Sequence, residues 1–282
     1  MGLTARSLFL IGESKLKDKG AGENGIDAEA LLGFLTGMDR KELFFNRDLE
    51  MSDEQVSEFM ALLSRRANGE PLQYITGEQY FMGHRFSVDP SVLIPRPETE
   101  LLAEKATHYI NGHGVKTVLD LCTGSGVLAI SIALACPGVR ITASDVSAQA
   151  LVMAQKNAEA LLASDRVEFA ESDLFSAITG KFGLIVTNPP YIRTEDLDGL
   201  QREIKDHEPL QALDGGQDGL DFYRRIAAEA RSYLCPGACL MTEIGADQAE
   251  AVSSLFRESG FAGIEIFKDL NSFDRFLSAV IQ

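Results

Sequence analysis

The sequence contains no tryptophan, and its 26 lysines and arginines are outnumbered by 42 aspartates and glutamates. The net charge of −16 argues against a nucleic-acid-binding protein, because such proteins neutralise phosphates with basic side chains. Dividing the chain does not change this conclusion, since residues 1–90 carry 10 basic and 15 acidic side chains and residues 91–282 carry 16 and 27. Neither part has the basic surface that nucleic acid requires, so we expect no direct contact with it.

Cysteine and histidine are also scarce, with four of each. Cys235 and Cys239 enclose a Pro-Gly pair with no histidine nearby, which does not match the ligands of a zinc site, so we predict no metal. The few cysteines and the absence of a signal-like start predict free thiols in a cytoplasmic protein. The longest strongly apolar stretch, residues 127–136, is well short of the roughly 20 residues of a membrane span, so we expect no membrane association.

The first 72 residues are typical of a small helical domain. Residues 5–19 and 27–36 predict helices, and Ser52 with Gln55 forms a capping box ahead of an apolar repeat at helical spacing. A unit of this size buries little core alone, so we expect it to bind a partner. We therefore predict a helical substrate-recognition domain over residues 1–72.

The composition changes at residues 73–90, where aromatic and β-branched residues around Gly83 predict a β-hairpin that links two domains. Residues 91–282 then alternate apolar strands with amphipathic helices, the first of which begins at Pro97. This alternation is typical of a parallel sheet covered on both faces. The last two strands are joined by only a short turn, so we expect an antiparallel pair. The predicted fold is α/β, a doubly wound sheet with an antiparallel last strand.

A glycine-rich turn, DLCTGSGVLA at residues 120–129, joins the first strand of this sheet to a helix. Glycines let the backbone approach a ligand closely, and a helix N-terminus favours negative charge. Asp145 ends the second strand, where a carboxylate is placed to bond ribose hydroxyls. The pattern predicts an adenosine-containing ligand, but by itself it does not distinguish a nicotinamide dinucleotide from another one.

Two further strand ends carry polar residues. Asp173 closes the third strand, where its carboxylate is placed to meet an adenine amino group. Asn188 closes the fourth strand, which lies beside the first in a doubly wound sheet. We therefore predict one pocket at these strand ends, with the cofactor-binding residues Cys122, Thr123, Gly124, Ser125, Gly126, Asp145, Asp173, Leu174 and Asn188.

The sequence TNPPY at residues 187–191 follows the apolar fourth strand. Proline donates no hydrogen bond to a sheet, so the strand must end here. Two consecutive prolines also fix the backbone, so the carbonyl groups of the turn point in set directions. Asn188 and Pro189, followed by Pro190 and Tyr191, are therefore predicted to form a rigid hydrogen-bond acceptor site.

The motifs GEQYFMGHRFSVDPSVLIPRPETE, DLCTGSG, NPPYI, EPLQALDGGQDGLDFYR and EIG together resemble one branch of the class I S-adenosylmethionine-dependent methyltransferases. This branch is the PrmC/HemK family of protein-glutamine methyltransferases, which modify peptide chain release factors. The resemblance implies a seven-stranded methyltransferase domain over residues 91–282. The chain departs from the family at Cys122 and Ser272, where glycine is frequent, and at His207, where tyrosine is usual.

The resemblance implies methyl transfer from S-adenosyl-L-methionine to the side-chain nitrogen N5 of the glutamine in a Gly-Gly-Gln motif, with S-adenosyl-L-homocysteine as product. It implies that the Asn188 side-chain oxygen and the Pro189 carbonyl accept the two amide hydrogens, while Tyr191 stacks on the amide plane. The predicted catalytic residues are Asn188, Pro189 and Tyr191, and the substrate-binding residues are these three and Pro190. Hydrogen bonds to such acceptors strengthen as positive charge develops on nitrogen. No general base is required, because the proton can leave after the methyl group has been transferred.

The expected partner is a release factor, and we expect the enzyme to be a monomer. Arg96 and Glu98 are further candidates for the cofactor pocket, and Glu243, at the end of the fifth strand, is a candidate without an assigned role. Three alternatives stay open at this point. A nucleic-acid amino-methyltransferase shares the NPPY motif, a nicotinamide-dependent dehydrogenase shares the glycine turn, and a non-catalytic adaptor shares the fold.

Overall fold

The computed structural model describes residues 2–20 and 22–281, and the chain divides into two compact units. The first unit is the chain up to Glu78 together with Gln201–His207. The second unit is Gln79–Leu200 and the chain from Glu208 onward. The domain boundaries at residues 72 and 90 stay a prediction.

The described residues form eleven α-helices and nine β-strands. The helices are α1 (Ala5–Lys19), α2 (Asn24–Thr36), α3 (Arg40–Phe45), α4 (Asp53–Ala67), α5 (Leu72–Thr76), α6 (Pro97–His113), α7 (Val127–Ala135), α8 (Ala148–Ala160), α9 (Arg202–Lys205), α10 (Asp221–Glu229) and α11 (Ala249–Glu258). The strands are β1 (Glu78–Phe81), β2 (His84–Ser87), β3 (Thr117–Leu121), β4 (Arg140–Asp145), β5 (Val167–Glu171), β6 (Phe182–Thr187), β7 (Leu234–Glu243), β8 (Ala262–Lys268) and β9 (Asp274–Val280).

The first unit is helical, as the sequence pattern predicts. The helix expected at residues 5–19 is confirmed, and α4 begins with the expected reciprocal hydrogen bonds between Ser52 and Gln55. The short helix α3 was not expected, although Asp39 and Glu42 form a second capping box at its start. Apolar side chains of α1, α2 and α4 form the core of this unit, including Leu8, Leu16, Leu31, Phe59 and Leu63, all fully buried.

The second unit contains a seven-stranded sheet with the order β5-β4-β3-β6-β7-β9-β8. Strands β3 to β7 are parallel to one another, and β9 is antiparallel to both β7 and β8. The doubly wound sheet with an antiparallel last strand is therefore confirmed. The expected β-hairpin is present as β1 and β2, and Phe81 and Phe86 from it are buried in the core of this unit.

Alternate residues of the central strands pack into two separate apolar layers. Val118 of β3 and Leu184 of β6 lie in one layer, whereas the next residues, Leu119 and Ile185, lie in the other. This alternation buries both faces of the sheet, as expected for strands whose successive side chains point to opposite faces.

In the part of the chain that the structure describes, no helix has the length and apolar character needed to cross a bilayer.

The register of the parallel strands brings their carboxyl ends to one edge of the sheet. Leu121 at the end of β3 is opposite both Ser144 of β4 and Thr187 of β6, and Thr187 is in turn opposite Thr242 of β7. The segments that follow β3, β4, β6 and β7 therefore leave the sheet side by side. This edge is where a doubly wound fold binds its ligands.

Candidate active site

A cavity of about 300 Å³ lies at this edge of the sheet. Its wall contains nine of the residues predicted for the site, which are Cys122, Thr123, Gly124, Ser125, Asp145, Asp173, Leu174, Asn188 and Pro190. Gly126, Pro189 and Tyr191 were also predicted, but they are not among the lining residues. The wall also contains Arg96, which the resemblance suggested, and Thr99 and Phe222, which sequence reasoning missed.

The two glycines of the turn after β3, Gly124 and Gly126, are explained by different structural requirements. Gly126 has a φ of 84°, and a Cβ atom there would lie 2.9 Å from Ile130 Cδ1 and 3.1 Å from Ala154 Cβ, so close helix packing requires glycine. Gly124 has a φ of 55° and lines the cavity, where an added Cβ would meet no atom within 4 Å. The open space at Gly124 is what a ligand lying against the backbone needs.

Two non-glycine residues of the cavity wall have a left-handed backbone. Cys122 has a φ of 58° and Leu174 a φ of 50°, a conformation that costs an L-residue roughly 1–2 kcal/mol. Ser272, the other position where the family often has glycine, has a φ of 67°. The glycines expected from the resemblance at positions 122 and 272 therefore have a conformational explanation.

Asp145 is held in a fixed orientation at the end of β4. The Gly124 N–H donates to its Oδ2 at 2.9 Å, and the Ser147 N–H donates to its Oδ1 at 3.0 Å. Burial raises the pKa of Asp145 above its ordinary value, and these backbone donors oppose that shift. A carboxylate oxygen accepts more than one hydrogen bond, so this group retains acceptor capacity toward the cavity.

Asp120, the fourth residue of β3, is fully buried and is hydrogen-bonded to the same turn. Its Oδ2 accepts hydrogen bonds from Thr123 Oγ1 at 2.6 Å and from the Ala129 N–H at 3.1 Å. Its Oδ1 has no partner among the residues that the structure describes. Burial raises the pKa of Asp120 from 3.8 to about 7.

Replacing Asp120 by asparagine is expected to make stability less sensitive to pH. With a folded-state pKa of about 7 and an ordinary value of 3.8, Asp120 stabilises the fold below pH 3.8, and this contribution is lost as the pH rises through 7. Asparagine does not titrate, so the unfolding free energy of Asp120→Asn minus that of the wild type should rise by about 1 kcal/mol per pH unit between pH 4.5 and 6.5. Urea unfolding of both proteins across this range measures it, and a constant difference would contradict the assignment.

Asn188 and Tyr191, both partly buried, belong to one polar network with the buried residues Thr99 and Glu243. Asn188 Nδ2 donates to Thr99 Oγ1 at 3.3 Å, and Thr99 Oγ1 donates to Glu243 Oε2 at 2.7 Å. The Tyr191 hydroxyl donates to the other oxygen, Oε1, at 3.2 Å. Burial raises the pKa of Glu243, while these two hydroxyl donors and the charge of Arg275 oppose that shift.

The backbone of the Asn-Pro-Pro-Tyr turn is clamped by the glycine-rich segment 215–219. A Cβ atom at Gly215 would lie 2.7 Å from Tyr191 Cα, and one at Gly219 would lie 2.4 Å from the Tyr191 carbonyl oxygen. Gln248 Nε2 donates to that same oxygen at 3.0 Å and to the Gly219 oxygen at 3.2 Å. Only glycine allows so close an approach, so the GGQDG motif serves to hold this turn.

Two other lining residues have partners that explain their positions. Arg96 forms an ion pair with the buried carboxylate of Glu208 at 2.6 Å, and Glu208 also accepts from the Ile94 N–H at 3.2 Å. Asp173 forms an ion pair with Arg225 at 2.8 Å through its Oδ1.

All four cysteines are free, and among the described residues no group of three or more acidic, histidine or cysteine side chains is placed to hold a metal ion.

Comparison with known proteins identifies the family. Residues 8–77 match a model described as the PrmC N-terminal domain, and residues 97–206 match the Methyltransferase small domain. A release factor glutamine methyltransferase from Geobacter sulfurreducens is 43% identical over 261 residues, covering 92% of this chain and 90% of that protein. One from Clostridium acetobutylicum is 39% identical over 257 residues, covering 90% of each. The chain belongs to the release factor glutamine methyltransferase family.

Solved structures agree with the fold of this methyltransferase. The hMettl16 catalytic domain in complex with a MAT2A 3'UTR hairpin has a TM-score of 0.57 at 14% identity, covering 82% of this chain and 83% of that one. The T. thermophilus 16S rRNA N2 G1207 methyltransferase, in complex with AdoMet and guanosine, has a TM-score of 0.52 at 20% identity, covering 73% and 50%. At these identities the likeness shows the fold alone.

S-adenosylmethionine is the methyl donor of this methyltransferase family member. Two observations indicate that the cavity fits such a ligand. The space over Gly124 is open, and the fixed carboxylate of Asp145 stands beside it at the end of the neighbouring strand. When bound, the donor supplies an electrophilic methyl group on a sulfonium.

Proposed function

We propose that this methyltransferase methylates the side-chain nitrogen N5 of the glutamine in the Gly-Gly-Gln motif of peptide chain release factors. The observation that carries the proposal is that Asn188, from the Asn-Pro-Pro-Tyr turn, lines the same cavity as the glycine turn and Asp145. The relatives named release factor glutamine methyltransferases match nine-tenths of the chain, which supports the same substrate.

The chemistry requires an amide nitrogen to act as a nucleophile, although its lone pair is delocalised into the carbonyl. Acceptors for both N–H hydrogens favour the developing positive charge on nitrogen, so their hydrogen bonds strengthen in the transition state. Asn188 Oδ1 and the Pro189 carbonyl oxygen are the proposed acceptors. The prolines and the clamp on Tyr191 hold them in place before the substrate binds, which lowers the entropic cost of alignment.

The remaining site residues are assigned by position. Asp145 is proposed to accept from the ribose hydroxyls, and Asp173 with Leu174 to bind the adenine end. Residues 122–126 are proposed to lie along the cofactor, with Gly124 closest to it. Pro190 lines the cavity and is proposed to contact the substrate, and Tyr191, whose hydroxyl is held by Glu243, is proposed to orient the substrate amide with its ring.

Replacing Asp145 by alanine is expected to weaken the binding of S-adenosylhomocysteine about 10- to 100-fold. Hydrogen bonds to a charged group contribute roughly 1.5–3 kcal/mol, and each 1.4 kcal/mol is tenfold in affinity. Isothermal titration calorimetry measures the change. Asp165→Ala, which removes an exposed aspartate of the same unit, serves as the control and should bind like the wild type. An affinity of Asp145→Ala within twofold of the wild type would remove this role.

The proposed function is tested by transfer of a labelled methyl group to a purified release factor. Label should appear on the wild-type factor and be lost when its Gly-Gly-Gln glutamine is replaced by alanine. Transfer that survives this replacement, or that goes to nucleic acid instead, would contradict the proposal. Binding of NAD in place of S-adenosylhomocysteine would point to a dehydrogenase.

We also propose the cellular setting of the reaction. The helical residues 1–72 are proposed to recognise the release factor, and the enzyme is proposed to act as a cytoplasmic monomer without direct contact with nucleic acid. The net charge of −16 supports the last point. Light scattering on the purified protein measures the mass, which should match 30.7 kDa.

A further inference from the structure

We propose that Thr99 and Glu243 are positioning residues that set the orientation of the Asn188 carboxamide, with its oxygen toward the substrate. The inference rests on the proposed function, because it concerns the same acceptor group. Neither residue is assigned a role by the motif that surrounds it. Thr99 lies in the first turn of α6 and Glu243 at the end of β7, and they are 3% and 2% exposed.

The orientation follows from counting hydrogens. Glu243 receives a hydroxyl donor on each carboxylate oxygen, from Thr99 at 2.7 Å and from Tyr191 at 3.2 Å. A threonine hydroxyl has one hydrogen, so Thr99 Oγ1, having donated to Glu243, can only accept from another neighbour. Its other neighbour is Asn188 at 3.3 Å, which must therefore present its NH₂ group.

This polarity decides which end of the Asn188 amide is available to a ligand. With Nδ2 held by Thr99, the oxygen Oδ1 is the end of the group that is left to face the cavity lined by Asn188. The opposite orientation would direct an NH₂ group at the NH₂ group of a glutamine substrate, and two donors cannot bond each other. The acceptor function of Asn188 thus depends on a carboxylate two hydrogen bonds away.

The fold brings these residues together by strand register. Thr187 is opposite Thr242, so Asn188 and Glu243 are the next residues on neighbouring strands. Glu243 is fixed further by its own carbonyl oxygen, which accepts from the buried Tyr223 hydroxyl at 2.8 Å. Tyr191 is held by the same carboxylate, so one buried acid sets two residues of the Asn-Pro-Pro-Tyr turn.

The experiment compares Thr99→Val with Thr99→Ser. Valine has the shape of threonine but no hydroxyl, so Asn188 loses the partner that fixes its orientation, whereas serine keeps it. We expect Thr99→Val to lower kcat about tenfold or more, with KM for the release factor and affinity for S-adenosylhomocysteine within about twofold of the wild type. Thr99→Ser should recover most of kcat. Thr107→Val, the same change two turns along α6, should behave as the wild type.

A second readout does not depend on the substrate. The side-chain NH₂ protons of Asn188, assigned by NMR from their loss in Asn188→Asp, should exchange with water more rapidly in Thr99→Val and Thr99→Ala than in the wild type and Thr99→Ser. Unchanged exchange together with unchanged kcat in the two hydroxyl-free variants would overturn the inference while leaving the proposed function intact. A wild-type enzyme that does not methylate release factors would overturn the proposed function, and the exchange rates would still decide the orientation.

Discussion

Replacing Asn188 by alanine is expected to lower the rate of methyl transfer about 10²- to 10³-fold. The substitution removes one of two preorganised acceptors, and losing a polar group of this kind at a transition state costs that much in other enzymes. The rate should be measured in a single turnover, with the cofactor saturating, so that a change in cofactor affinity does not enter the result. Asn188 is hydrogen-bonded to Thr99 at 3.3 Å, so the acceptor that Asn188→Ala removes has a defined position in the wild type.

Asn111→Ala provides a matched control for the Asn188 substitution. Asn111 is exposed on α6, in the same unit, and its loss should leave the single-turnover rate unchanged. A loss of less than tenfold in Asn188→Ala would contradict the proposed acceptor role of Asn188.

The alternation of strands and helices was sufficient to predict the sheet and the edge at which the site lies. In a doubly wound fold the fourth strand returns beside the first, and the structure confirms that β6 pairs with β3. The motifs at the ends of β3, β4, β5 and β6 could therefore be assigned to one pocket before any contact was known. Local sequence sufficed here because each motif follows its strand directly.

Thr99 and Glu208 could not be found in the same way. Each acts through a partner far along the chain, Thr99 through Asn188 and Glu243 and Glu208 through Arg96, and the separations are 89, 144 and 112 residues. Such pairs are made by tertiary packing, and a single sequence carries no signal of which residues will meet.

Gly126 and Tyr191 belong to motifs that the sequence makes recognisable. A motif does not show, however, which atoms each of its residues contacts. Gly126 is required by the close packing of Ile130 and Ala154, and the Tyr191 hydroxyl is bonded to Glu243. A motif therefore identifies the turn more reliably than it identifies the atoms that touch the ligand.

The segment Gln201–His207 also lay beyond sequence reasoning. It belongs to the helical unit although it is more than 120 residues from the rest of that unit. An ion pair of 2.8 Å connects Glu203 of this segment to Arg66 of α4. Arg66 is 3% exposed and also pairs with Asp27 of α2, which is 5% exposed, at 2.6 Å.

The environment of this ion pair is closely packed. Gly22 has a φ of 62°, and a Cβ atom there would lie 1.9 Å from Asp27 Oδ2 and 2.2 Å from Arg66 Nη2. The Arg66 Nη1 donates to the Glu70 carbonyl oxygen at 2.9 Å, so all three nitrogens of the guanidinium have partners. A buried cation in this setting depends on its counterions, because water cannot replace them.

Replacing Asp27 by alanine is expected to lower the free energy of opening of α2 and α4 by about 3 kcal/mol. Removing one partner of a buried ion pair costs roughly 3–5 kcal/mol, and the lower end applies because Glu203 still faces Arg66. Native-state hydrogen exchange of α2 and α4 peptides, read by mass spectrometry, reports this unit separately from the sheet. The neighbouring pair Arg65–Glu70 is more exposed, so Glu70→Ala should cost less than about 1 kcal/mol. If both variants lowered the opening free energy equally, burial would not be the reason that α2 and α4 depend on Asp27.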